Sequence, residues 1–222
     1  GDQPMGPSPV RRRGQAVTFG RAENLAQLTA WGVPTSLDFK CFDLHRDTPR
    51  TSNTFHANCD NLGPSLTLWQ LSNGMVGGGY TSTSWHTSPQ GYSASSDAFI
   101  FSLSNTAKLP IQIQSMAMYQ FSGYGPTFGA GHDMYISSYL RNTECKTGYS
   151  YACPSGTAVD TCGGTPNRCC NLLCGATGDA FNDFEIAKAA ASFTYTLVDI
   201  LISVVEHIGV NTKLLVHGGS DG

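Results

Sequence analysis

The strongest constraint on the fold is a series of short segments, separated by glycine-rich turns, in which apolar and polar residues alternate. Ser65–Leu71 alternates in this way, and Ser72, Asn73 and Gly74 then form a typical hairpin turn signal. The returning strand is predicted at 75–83, and further strands are predicted at 97–103, 111–119 and 133–140. Closely spaced short strands of this kind favour two packed antiparallel sheets.

Three consecutive glycines, Gly77, Gly78 and Gly79, fall inside the predicted returning strand. A phosphate-binding loop would continue with Gly-Lys-Ser/Thr, and that continuation does not follow here. Because glycine has no side chain, the run predicts either a β-bulge or a close approach between the two sheets.

Helical patterns lie near the two ends of the chain. A short helix is predicted at 22–31, and Gly32 and Pro34 would end it. Near the C terminus, apolar residues recur at helical spacing, namely Leu197, Ile200, Leu201, Val204, Val205 and Ile208. A membrane segment at 189–208 is the alternative, but Asp199 at a bilayer centre would cost about 2.5 to 3.5 kcal/mol. We therefore favour a helix that packs on a protein surface.

Five ordered motifs lie between residues 55 and 136. They comprise Phe55, His56, Cys59 and Asp60; Gly63 and Pro64; Gly78, Gly79, Tyr80, Thr81, Ser82 and Trp85; Asp97 and Phe99; and Phe128, Gly129, Gly131, His132, Asp133 and Ile136. In this order and spacing they resemble the TLDc domain family. The resemblance implies a mainly β (α+β) fold, a two-sheet antiparallel β-sandwich with a few flanking helices. Phe184, Glu185 and Ile186 would begin its closing strand.

The same resemblance implies a function without catalysis. TLDc proteins protect cells against oxidative damage and regulate the vacuolar-type proton ATPase, so we expect a protein-interaction domain that binds such a complex. The expected location is intracellular, in the cytoplasm or on an organelle or large assembly. A permanent structural subunit of another large assembly is the alternative. A thiol-based redox protein that uses Cys169 and Cys170 is a lesser alternative.

The chain divides into three regions by composition. Residues 1–29 are predicted to be a flexible lead-in with a short helix, 30–208 the TLDc-like domain with a cysteine-rich loop at 142–178, and 209–222 a tail. No signal-peptide pattern opens the sequence. The first residue is not Met, which suggests that upstream sequence is missing. It also contains no Asn-x-Ser/Thr acceptor, which argues against a secretory history.

The charge content argues against nucleic acid as a partner. Charged residues make up 13% of the chain, the net charge is −3, and basic residues cluster only at Arg11, Arg12 and Arg13. A broad basic surface, which phosphate backbones require, is therefore not expected.

The eight cysteines allow more than one interpretation. Cys41 and Cys59 lie in the motif-bearing body, and the other six fall within thirty residues, at Cys145, Cys153, Cys162, Cys169, Cys170 and Cys174. This density is typical of disulfides in an oxidising compartment, whereas the family resemblance points to reduced thiols. A zinc site formed by Cys162, Cys169, Cys170 and Cys174 is an alternative, but structural zinc sites use closer cysteine pairs. We predict no metal and no cofactor.

Two histidine and carboxylate pairs are the candidates for acid-base chemistry. His132 and Asp133 are adjacent, so on a strand they would point to opposite faces. We therefore predict a buried, hydrogen-bonded histidine and a turn-fixing aspartate, and similar structural roles for His56 and Asp60. The sequence has no nucleophile elbow, zinc-protease motif or dinucleotide fingerprint. No catalytic residues are predicted.

Overall fold

A computed structural model of the chain describes residues 22–34, 37–158, 160–162, 165–175 and 180–189. The chain separates into a compact unit, Gly1–Ala191, and a second unit, Ser192–Gly222. The predicted helix or membrane segment beyond Ala189 lies outside the described residues, as do most of the lead-in and the tail. No helix in the described ranges has both the length and the apolar content needed to cross a membrane.

Thirteen strands and three short α-helices make up the described structure. In chain order the strands are β1 (Leu37–Asp43), β2 (Ser65–Leu71), β3 (Val76–Thr81), β4 (Gly91–Ser93), β5 (Phe99–Ser102), β6 (Ala107–Pro110), β7 (Met118–Gln120), β8 (Thr127–Phe128), β9 (Met134–Ile136), β10 (Thr143–Cys145), β11 (Asp160–Cys162), β12 (Thr165–Arg168) and β13 (Phe181–Ala189). The helices are α1 (Ala22–Ala30), α2 (Ser52–Cys59) and α3 (Cys170–Cys174), with one 3-10 turn at Gln114–Met116.

Two antiparallel sheets confirm the predicted fold class. The larger has six strands in the order β1-β13-β2-β3-β5-β6, and the smaller has five in the order β10-β9-β8-β7-β4. The pair β11 and β12 forms a separate ribbon. The closing strand expected from Phe184 onward is β13, which begins three residues earlier, at Phe181, and lies inside the larger sheet between β1 and β2.

Some predicted strand boundaries hold, and others are wrong. β2, β3 and β5 lie where the alternation predicts them, and α1 confirms the short helix before Gly32. The single strand predicted at 111–119 is wrong, because Pro110 ends β6 and a 3-10 turn precedes β7. The strand predicted at 133–140 stops at Ile136, since Leu140 closes a turn onto the Ser137 carbonyl with a positive φ of 49°.

Apolar side chains are buried on both faces of the larger sheet. Trp69 lies in the core between the sheets, where its indole N–H contacts the sulfur of Met134 at 3.4 Å. Leu66 and Leu68, on the opposite face of the same strand, pack in a second cluster with Leu28 of α1. β2 is therefore apolar on both faces, which is typical of a strand covered on two sides.

Each of the three glycines of β3 leaves room for a neighbouring group, and at Gly79 that neighbour belongs to the other sheet, which is the predicted close approach between the sheets. The pairing of β2 with β3 is regular along its length, so this pair contains no bulge. A Cβ atom built on Gly79 would lie 2.7 Å from the ring of Phe128 in the smaller sheet, and one on Gly77 would lie 2.6 Å from the ring of Trp69. The missing side chains therefore make room for two large core rings.

We expect Gly79→Ala to lower the free energy of unfolding by about 1–3 kcal/mol, the usual cost of overpacking a core. The Phe128 ring is fully buried, and it packs edge-on against Trp85 at 5.4 Å. It therefore has little room to move away from a new methyl group. Urea unfolding of the variant would measure the loss.

Phe128→Leu provides the control for this prediction. Alone it should destabilise the domain by leaving a cavity, but combined with Gly79→Ala it should remove the clash. The two costs should then sum to more than the cost of the double variant. Additive costs would contradict a steric contact between these two positions.

Candidate functional site

Asp133 fixes a distant loop through its buried carboxylate. Oδ1 accepts backbone N–H groups of Gly148 and Tyr149, each at 2.8 Å, and Oδ2 accepts that of Ser150 at 2.9 Å. The Tyr151 N–H approaches Oδ1 at 3.5 Å. Burial raises the pKa of Asp133, and these backbone donors act in the opposite direction. The predicted role of a turn-fixing aspartate is confirmed.

The glycines before Asp133 permit this arrangement. Gly129 has a φ of 83°, and a Cβ atom on it would collide with the Asp133 carboxylate. Gly131 and His132 also have positive φ values, 75° and 64°. The prediction of a buried histidine is wrong, because the tight turn leaves His132 partly exposed and stacked on Tyr135, with ring centroids 4.9 Å apart.

His56 connects helix α2 to the segment that follows β7. Its Nδ1 lies 2.7 Å from Asp60 Oδ1, and its Nε2 lies 3.2 Å from the Phe121 carbonyl and 3.1 Å from the Tyr124 carbonyl. Both ring nitrogens thus have oxygen partners, one at the end of its own helix and two on the loop. The pair thus holds the loop at 121–124 in place.

Other motif residues form the framework around Asp133 and Asp60. Gly63, with a φ of 86°, donates its N–H to Ser84, and the Pro64 carbonyl accepts the Ala189 N–H of β13. Asp97 accepts hydroxyl groups of nearby serines at 2.6 and 2.9 Å. The other apolar motif residues are buried in the core, among them Phe55, Cys59, Trp85 and Phe99.

Aromatic side chains cover the outer side of the smaller sheet, and we call this surface the aromatic face. It consists of Tyr92, Tyr119, Phe121, Tyr124, His132 and Tyr135. Along β7 and β9 the central residue points outward while its neighbours are buried. Neighbouring ring centroids lie 4.7 to 6.2 Å apart, so the rings form one connected surface.

One end of the aromatic face carries charge. Glu144 of β10 is the cross-strand partner of Tyr135, and it forms an ion pair with Lys146 at 3.4 Å in which both side chains are about two-fifths exposed, at 42% and 40%. Burial, followed by Lys146, lowers the pKa of His132, and Glu144 acts in the opposite direction, so the net effect disfavours the charged imidazole. Burial, followed by Tyr124 and Glu144, raises the pKa of the Tyr135 hydroxyl, which therefore keeps its proton.

All eight cysteines are paired in disulfides. One bond joins β1 to α2, and the other three tie the cysteine-rich loop to itself. The pairs are Cys41–Cys59, Cys145–Cys174, Cys153–Cys169 and Cys162–Cys170. For the cysteine-rich loop, a disulfide-stapled form and a reduced form were both favoured over a metal site. The structure has the disulfide-stapled form.

The four cysteines considered as zinc ligands do not form one ligand set, because they belong to three different disulfides. Asp160, Cys162 and Cys170 do place ligand atoms within 4.8 Å of one another. However, the two sulfurs are bonded to each other, and metals bind the thiolate. The Asp160 carboxylate accepts the backbone N–H groups of Cys170 and Asn171 at 3.2 and 2.8 Å.

The aromatic face was not predicted from the sequence. Its residues come from separate strands and loops, and no motif contains most of them. One signal was present, because Tyr119 and Phe121 are two positions apart and so lie on the same side of an extended segment. Recognising this side as the outer one required knowing that Met118 and Gln120 are buried.

A family model for the TLDc domain matches residues 40–164, which is more than half of the chain. The chain therefore belongs to the TLDc domain family. A search of curated proteins finds no match. The matched region begins in β1 and ends beyond β11, so it includes both histidine and aspartate pairs and the whole aromatic face.

Proposed function

We propose that this chain is a protein-interaction domain that docks onto a larger complex through the aromatic face. The observation that carries the proposal is the connected set of six rings on the outer side of the smaller sheet, where a solvent-facing sheet surface usually carries polar residues. Tyr92 is 50% exposed. Tyrosines give a large contact area and a hydroxyl for hydrogen bonding, and they are enriched at protein interfaces.

Binding without catalysis is supported by how the motif residues are used. The carboxylate of Asp133 is occupied by backbone donors of a single loop, and Asp60 is occupied by His56. His132 stacks in the aromatic face with its imidazole ring against Tyr135. These contacts give the side chains of Asp133, Asp60 and His132 structural roles. The aromatic face is therefore a better candidate for the functional site than these two histidine and aspartate pairs.

The partner proposed from family membership is the vacuolar-type proton ATPase, with a regulatory role linked to protection against oxidative damage. A permanent structural subunit of another assembly is the alternative. A thiol-based redox protein is less well supported. Cys169 and Cys170 are buried, and they pair with two different cysteines, Cys153 and Cys162. Redox sensors use exposed thiolates.

The compartment of the domain is also a proposal. Disulfides persist in oxidising compartments and are rare in the cytosol, and every cysteine of this chain is paired. Of the intracellular locations expected from the resemblance, we favour an organelle that maintains oxidising conditions. The partner should therefore be sought in separated organelle and cytosolic fractions.

The test is affinity purification from the native source under mild, non-reducing conditions, with mass spectrometry of the proteins that bind. The wild-type chain is compared with the double variant Tyr92→Ala and Tyr135→Ala. Tyr139→Ala with Tyr149→Ala is the matched control, because these tyrosines are 65% and 46% exposed but lie outside the aromatic face. We expect the control to retain the partner. The amount of partner recovered with the aromatic-face variant should fall at least about tenfold, because aromatic residues often carry much of the binding energy of an interface.

Each outcome separates the alternatives. Proton-ATPase subunits recovered below stoichiometric amounts would support a regulator. A fixed complement of another complex would instead identify a structural subunit. Retention of the partner by the aromatic-face variant, with its fold verified by circular dichroism, would show that docking occurs elsewhere on the molecule.

A further inference from the structure

We infer that the aromatic face receives an arginine-bearing segment of its partner, with the guanidinium group against the Tyr135 ring and beside the Glu144 carboxylate. This inference rests on the proposed function, since it names the chemistry of the protein segment that docks there. It follows from two observations. Arginines of this chain already lie over tyrosine rings, and Glu144 and Lys146 place charges at one end of the aromatic face.

Two exposed tyrosines outside the aromatic face, Tyr139 and Tyr149, each carry an arginine of the same chain. The Arg141 guanidinium lies 6.0 Å from the ring centre of Tyr139, and that of Arg168 lies 5.5 Å from the ring centre of Tyr149. Within the described part of the chain, no lysine or arginine lies over a ring of the aromatic face. Tyr135 stacks on His132 and meets Tyr124 edge-on, and the negative face of an aromatic ring attracts a cation such as a guanidinium group.

A carboxylate lies where a docked guanidinium would need one. Glu144 faces the same side of the sheet as Tyr135, because the two residues are direct cross-strand partners. Both side chains of its ion pair with Lys146 are about two-fifths exposed, and ion pairs in contact with solvent contribute little to stability. An incoming arginine can therefore replace Lys146 and bind the carboxylate through two parallel N–H groups. Burial lowers the pKa of His132, which disfavours a positive charge on its ring beside the guanidinium.

Other ligand classes fit this surface less well. An anionic segment would meet the negative ring faces and Glu144. Lysine carries a compact, strongly hydrated ammonium group, whereas the flat guanidinium stacks on rings. A neutral sugar would need exposed rings that share a plane, but Tyr124 meets His132 at 84° and Tyr135 at 75°. Arginine therefore fits the rings and the charge together.

The test uses three short peptides of the same length as probes for the folded, oxidised domain. Their sequences are Gly-Arg-Gly-Arg-Gly, its lysine version and its citrulline version, all with blocked ends. We expect the arginine peptide to shift the NMR signals of Tyr135, His132 and Glu144, and to bind about tenfold more tightly than the uncharged citrulline peptide. The lysine peptide should lie between them.

Two variants of the domain make the test specific. Glu144→Gln keeps the size of the side chain and removes its charge, so it should weaken arginine binding several-fold and leave the citrulline peptide unaffected. Asp47→Asn is the matched control, since this carboxylate binds Arg46 and lies outside the aromatic face. Equal affinities for arginine and citrulline, or no effect of Glu144→Gln, would overturn the inference. Tighter binding of a neutral probe, cellohexaose, would overturn it as well.

The failure of this inference can be told apart from failure of the proposed function. The arginine peptide is also used to elute the partner captured from the native source. If the aromatic-face variant loses the partner but the arginine peptide does not release it, docking stands and the arginine contact is wrong. If the variant keeps the partner, docking through the aromatic face is itself wrong.

Discussion

Reduction of the disulfides is expected to unfold the domain at 25 °C, under conditions in which the oxidised protein remains folded. Three disulfides close loops of 29, 16 and 8 residues within the cysteine-rich loop. A disulfide typically contributes about 2–4 kcal/mol, chiefly by restricting the unfolded chain. A domain has about 5–15 kcal/mol of stability in total, so the loss of all four bonds should remove most of it.

Thiol counting and urea unfolding check this prediction. The unreduced protein, denatured to expose every sulfur, should give no reaction with a thiol reagent, and the reduced protein should give eight thiols. Fluorescence of the buried Trp69 and Trp85 would report unfolding upon addition of reductant. Several reactive thiols before reduction, or a native spectrum after it, would contradict a stapled domain.

Two double variants measure separately how much two of the disulfides contribute to the free energy of unfolding. Replacing Cys145 and Cys174 by Ala opens the longest loop, and both residues are fully buried. We expect a loss of about 3–4 kcal/mol. Replacing Cys41 and Cys59 opens a shorter loop of 18 residues, so the entropic loss should be slightly smaller. The second pair is the matched control, because it lies outside the cysteine-rich loop.

The strands with strong local signals could be predicted from the sequence. β2 was predicted to the residue, because a glycine and proline precede it and an Asn-Gly turn follows it. Helix α2 had no such signal. Its sequence, SNTFHANC, contains several poor helix formers. Tertiary contacts offset this weak propensity, since Thr51 caps its first turn and Cys59 joins it to β1.

The candidate site could be predicted only in part, because its contacts connect distant segments. A structural role for Asp133 was predicted, but its hydrogen-bond partners lie 15 to 18 residues further along the chain. The aromatic face was missed because the alternation of residues along a strand separates its two sides but does not show which side is exposed to solvent. In β2 both sides are buried, whereas in β7 only one is. Sheet packing decides this difference.

Asp133→Ala is expected to reduce the free energy of unfolding by about 4 kcal/mol or more. The substitution removes the fully buried Asp133 side chain and leaves the backbone N–H groups of residues 148–150 without their acceptor. The Ser150 N–H is buried, and a buried donor without an acceptor costs about 1–3 kcal/mol, whereas the part-buried N–H groups of Gly148 and Tyr149 should cost less. The same loop leads into Cys153 and the disulfides, so its release should loosen the cysteine-rich loop too. Urea unfolding gives the stability, and amide hydrogen exchange at 148–150 gives the local effect.

Two further variants make the result interpretable. Asp133→Asn keeps one acceptor oxygen for Gly148 and Tyr149 but turns an N–H donor toward the Ser150 N–H, so its loss should be intermediate. Asp97→Ala is the matched control, because this aspartate is exposed and accepts hydroxyl groups instead of backbone N–H groups. The hydroxyl of Ser82 is exposed and can bond to water instead. We expect it to cost less than about 1 kcal/mol. Equal losses at the two aspartates, or unchanged exchange at 148–150 in Asp133→Ala, would refute the loop-fixing role, because that role depends on burial of the bonded donors.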